Sequence, residues 1–135
     1  MPYQKEISME LFRQTDLPTD YLISRATSKQ SIGFCHGKDF PGARIPAGLA
    51  LNELGVILHT TDSDVEKDEA EKVLREVLSD TGQFMGNRAT AFFYFKLPGA
   101  SVSKETEQVV KDFENDPENA YAVDQVVEAV RLIEK

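Results

Sequence analysis

Residues 34–64, FCHGKDFPGARIPAGLALNELGVILHTTDSD, hold both histidines, the only cysteine and four of the eight glycines, and how this stretch divides into elements decides the fold. Gly37, Pro41, Gly42 and Pro46 interrupt its first part, because a proline fixes φ and has no N–H to give to a helix or a ladder. An irregular loop over 34–48 is expected. Pro46 suits the first position of a short helix that carries Ala47, Ala50, Leu51 and Leu54 on one face, and Gly55 suits the left-handed residue that ends one. Val56 to Thr61 is then an unbroken apolar and β-branched run, the pattern of a strand covered on both faces.

On the C-terminal side, Ser63 and Glu66 have the spacing of a capping box, in which each side chain satisfies a backbone donor of the other. Asp64 and Glu66 also suit the positive end of the helix dipole. Ala70, Val73, Leu74, Val77 and Leu78 recur at helical spacing and form one buried stripe, while Glu69, Glu71, Lys72 and Glu76 face water. Gly82 stops this helix and QFMGN (83–87) makes a turn. From Arg88 to Leu97, Ala89, Ala91, Phe93, Phe95 and Leu97 alternate with Thr90, Phe92, Tyr94 and Lys96, which is the period of a strand. Strand, capped helix and strand in that order predict a crossover unit within one sheet. Pro98 and Gly99 end it. Ser103 caps a helix with Val109, Val110 and Phe113 on one side, and Asp116 with Pro117 starts another that runs to Ile133. The short connection makes these two an antiparallel helical hairpin.

On the N-terminal side, residues 3–12 alternate as a strand, Asp16, Pro18 and Asp20 form a turn, and Tyr21–Ala26 and Ile32–His36 read as two short strands joined by TSKQS. The expectation is therefore a single α+β (or α/β) domain over 1–135, with one sheet of about four or five strands covered by the capped central helix and the C-terminal hairpin.

At 135 residues, 41% hydrophobic and 28% charged, the chain has an ordinary globular composition, and no apolar run approaches the ~20 residues that span a bilayer. The first twelve residues lack a basic region followed by an apolar block, so a cytoplasmic location is expected. One cysteine makes no internal disulfide and offers no thiolate pair to zinc. The net charge of −8 is uneven: residues 1–61 carry six acids and six bases, residues 62–135 seventeen acids and nine bases. That sign repels phosphate backbones, so no nucleic-acid partner is expected. It suits a protein partner with a basic surface, because complementary charge speeds and orients association.

Nothing in the sequence composes a motif tied to a reaction, and no glycine-rich nucleotide signature occurs. The leading functional reading is a non-catalytic protein-binding or regulatory module. A second is a small enzyme or binder of an anionic ligand at the 34–48 loop, with His36, Asp39 and His59 as catalytic candidates and Lys38 and Arg44 as the anion clamp. Cys35 and His36, adjacent on a strand, point to opposite faces and cannot pair. His59, with Asp62 and Asp64 nearby, sits where open sheets place ligands, but the two acids already serve the helix start, so no metal or cofactor is expected. A third reading is a homodimer held by the last helix, whose face of Ala120, Val123, Val126, Val127, Val130 and Ile133 is broader than one neighbour requires.

Overall fold

Residues 47–60 are one helix rather than a helix and a strand. In the computed structural model, which describes residues 11, 13, 15–27 and 47–133, the chain runs through α1 (Thr19–Ala26), α2 (Ala47–Thr60), α3 (Asp64–Ser79), α4 (Met85–Lys96), α5 (Lys104–Asn115), a 3-10 turn (Pro117–Asn119) and α6 (Ala120–Ile133). No strand occurs among the described residues. The expected α+β or α/β sheet is thus overturned, and its strands at Tyr21–Ala26, Val56–Thr61 and Arg88–Leu97 lie mainly within α1, α2 and α4. The expected strand at Ile32–His36, and all of that at 3–12 except Leu11, lie outside the described residues.

Burial explains the misread elements. Helix α2 packs on α1, α3 and α4, so Ala50, Leu51, Leu54, Val56, Ile57 and Leu58 are all buried. A helix covered on several sides has no polar face, and a short apolar run from it cannot be told from a central strand. Gly55 does not end the helix but lies inside it. A Cβ there would stand 2.2 Å from Cγ of Tyr94, so glycine is what lets α4 lie against α2 at all. The crossing is then tied by hydrogen bonds: Tyr94 Oη donates to Asn52 Oδ1 at 3.0 Å, and His59 Nε2 meets the Tyr94 carbonyl at 2.8 Å. Asn52, Gly55 and His59 lie three and four residues apart, on one face of α2.

Helix α1 starts after Pro18, whose carbonyl accepts from Tyr21 N and Leu22 N, both at 3.1 Å. Helix α3 buries its stripe of Ala70, Val73, Leu74, Val77 and Leu78. Ser63 Oγ accepts from Glu66 N at 3.2 Å, but the other half of the capping box is diverted. Ser63 N donates to Thr61 Oγ1 instead, and the Glu66 carboxylate accepts from Thr61 Oγ1 and, across to α1, from Thr19 Oγ1. Ser103 caps α5 by accepting from Thr106 N, and Asp116 Oδ1 caps the 3-10 turn by accepting from Glu118 N.

The two C-terminal helices pack mainly on others rather than on each other, α5 on α3 and α6 on α4. In α6, Val123, Val126 and Val130 are buried within the chain, while Tyr121, Val127 and Leu132 are exposed. No described helix is long and apolar enough to cross a membrane.

Candidate functional site

Of the residues singled out from sequence, His36, Lys38, Asp39 and Arg44, with Cys35, lie outside the described residues. His59 is described, and it is not at the end of a strand. It occupies the last turn of α2, half-buried, with Nε2 on the Tyr94 carbonyl. A carbonyl only accepts, so Nε2 carries the proton and serves the α2–α4 crossing. Tyr94 itself is buried, and that burial, with the charge of Glu53, raises its phenol above the ordinary tyrosine range.

Two carboxylates stand out by burial. Glu71, which its helical position assigns to water, is instead covered by the start of α5. Its Oε2 accepts from Thr106 Oγ1 at 2.6 Å and from Ser103 N at 3.0 Å, with Arg75 Nη1 at 3.9 Å. Burial alone would push the carboxyl up; the hydrogen bonds from Thr106 and Ser103, with the charge of Lys67, outweigh it and hold Glu71 below the usual carboxylate range. Glu53, only 1% exposed, is similarly engaged: its Oε1 accepts from Arg13 Nε, Thr15 N and Thr15 Oγ1. Both carboxylates join segments distant in sequence.

Arg88 differs. The turn before α4 is fixed by Gln83, whose Oε1 accepts from Phe84 N and Asn87 Nδ2 at 3.1 Å each. This returns the first turn of α4 across the end of α3, where Arg88 Nε donates to the Leu78 carbonyl at 2.9 Å. The cation thereby meets the negative end of the α3 dipole. Its Cζ sits 5.0 Å from the Phe113 ring centroid, within cation–π range. Arg88 is 8% exposed, yet no described carboxylate pairs with it, and Nη1 and Nη2 have no hydrogen-bond partner among the described residues. Four N–H donors therefore remain on a buried, always-charged fork.

Arg88 lines a cleft of about 220 Å³ between the end of α3, α5 and the 3-10 turn. Asn119 lines the same cleft and is 3% exposed. Its Nδ2 donates to the Phe113 carbonyl at 3.0 Å, which fixes the amide and leaves Oδ1 without a partner among the described residues. Buried polar groups are almost always paired, so two incompletely satisfied groups on one cleft mark a place built for something else to complete. Chemically, a planar donor fork receives a carboxylate in two parallel bonds, whereas the Asn119 acceptor calls for a donor.

Sequence reasoning missed Arg88 by placing it at the head of a strand. The signal was present: Arg88, Ala91, Phe92 and Phe95 recur at i, i+3, i+4 and i+7, which puts a cation on an apolar helical stripe. No family model, curated protein or solved structure matches this chain.

Proposed function

We propose that this protein is a non-catalytic helical module that binds a small carboxylate-bearing ligand in the cleft over Arg88. The observation that carries the reading is the buried Arg88, which lines a cleft and whose Nη donors have no partner among the described residues. An arginine held in this way by Leu78 and Phe113 is pre-oriented, so little rotamer freedom is lost when the fork closes on a planar anion. The reading keeps the anionic ligand expected from the sequence and moves it from the 34–48 loop to the start of α4. A basic protein partner for the acidic half is supported less, because the acids of α3, such as Glu69 and Glu76, lie on a solvent face, where solvation accounts for them.

The test is a titration with 4-methylpentanoate followed by backbone amide shifts. Saturable shifts are expected at residues 78–81 and 113–119, and Arg88→Lys, which keeps the charge but loses the fork, should abolish them. Shifts that persist in Arg88→Lys, or that never saturate, would sink the assignment.

A further inference from the structure

Resting on that reading of the cleft as a carboxylate site, we infer that its ligand is the zwitterion of an aliphatic α-amino acid. The carboxylate takes the Arg88 fork and the ammonium takes an acidic corner of the same cleft. Asp112 and Asp116 both line it. Each has one oxygen engaged, Asp112 Oδ1 by Gln108 Nε2 at 2.8 Å and Asp116 Oδ1 by Glu118 N at 2.9 Å. The second oxygen of each is without a partner among the described residues.

The charges select among anions. One guanidinium against two carboxylates leaves the site net negative, so phosphate or a simple dianion gains one attraction and meets two repulsions. An ammonium beside the carboxylate reverses both repulsions, and it supplies the donor that the buried Asn119 Oδ1 lacks. Leu78 and Val109 complete the lining with apolar surface, where an aliphatic side chain is stabilised by leaving water. The volume of about 220 Å³ accommodates a molecule of that size.

The experiment compares L-leucine with two fragments of it, 4-methylpentanoate, which lacks the amine, and 3-methylbutylamine, which lacks the carboxylate. Each is titrated calorimetrically into the full chain and its variants. L-Leucine should bind at least about tenfold more tightly than 4-methylpentanoate, since a charge-assisted bond is worth about 1.5–3 kcal/mol, and 3-methylbutylamine should bind most weakly. Paired Asp112→Asn and Asp116→Asn changes, which keep the Asp116 cap because asparagine caps equally well, should remove the advantage of leucine, while 4-methylpentanoate, relieved of two like charges, binds as tightly as before or more tightly. Arg88→Met should lose both carboxylates. If that variant is unfolded by circular dichroism, Arg88→Lys takes its place with the same expected loss. Equal binding of leucine and 4-methylpentanoate, both dependent on Arg88, overturns the amino-acid assignment and leaves the carboxylate site standing. Absence of binding by either at 10 mM, or binding indifferent to Arg88, overturns both.

Discussion

Glu71 and Arg88 are opposite charges buried in adjoining parts of the same bundle, and the chain treats them differently. Around Glu71 the chain closes with a backbone N–H and a threonine hydroxyl from the start of α5 and with the nearby Arg75 guanidinium of α3 itself. Around Arg88 it provides one carbonyl and one aromatic face, and leaves the rest of the fork to a cleft. A buried charge that is fully engaged holds a fold together, whereas one left partly engaged holds a place for a ligand. The first should matter to stability and the second to binding.

That contrast is open to direct attack. Glu71→Leu removes the carboxylate to which the Ser103 N–H and the buried Thr106 hydroxyl donate, and the expected loss is about 3 kcal/mol in urea unfolding, near the sum of two hydrogen bonds to a charged group. Thr106→Val removes a single donor from the same carboxylate and should cost about 1.5 kcal/mol by the same measurement. Arg88→Met gives up the bond to Leu78 and the contact with Phe113, but it also removes a charge that nothing in the described chain pairs. Its cost should be about 1 kcal/mol or less, and a loss equal to that of Glu71→Leu would erase the distinction. The smallest effect is the pH response. Because the carboxyl of Glu71 is held below its ordinary range in the fold, its contribution is complete above that range and disappears as the pH falls through the folded value. The stability of the wild type should therefore fall as the pH drops from the ordinary carboxylate range to the lower folded value, and Glu71→Gln should flatten that slope while Arg88→Met leaves it in place.

The same two residues show what was legible beforehand. The helix from Ser63 onward was readable because it is half-exposed: Ala70, Val73, Leu74, Val77 and Leu78 keep a clean period, and Glu71 misleads only because α5 is far away in sequence. Ser103, Asp116 and Pro117 announce their helix starts through local chemistry that does not depend on the rest of the chain. Helices α2 and α4 were not readable in that way. Burial on several sides removes the polar half of the pattern in Val56–Leu58, and the run AFFYF reads equally as alternation or as helix. Gly55 adds a false stop, since its role is set by Tyr94, thirty-nine residues on in a helix that itself reads as a strand. Of the site, His59 was noticed for its chemistry but works in packing. Asn119, Asp112 and Asp116 become a group only when the α5 end and the 3-10 turn are brought beside Arg88.

A missing methyl group at position 55 also has reach beyond its own contact. Tyr94 and Arg88 ride on one rigid helix, so the depth at which the tyrosine ring settles onto α2 fixes where, two turns earlier, the guanidinium comes to rest above Phe113. Pushing the helices apart at the glycine would tilt the floor of the cleft without touching any residue in it. The smallest side chain in the protein is in that sense the spacer against which the ligand pocket is set.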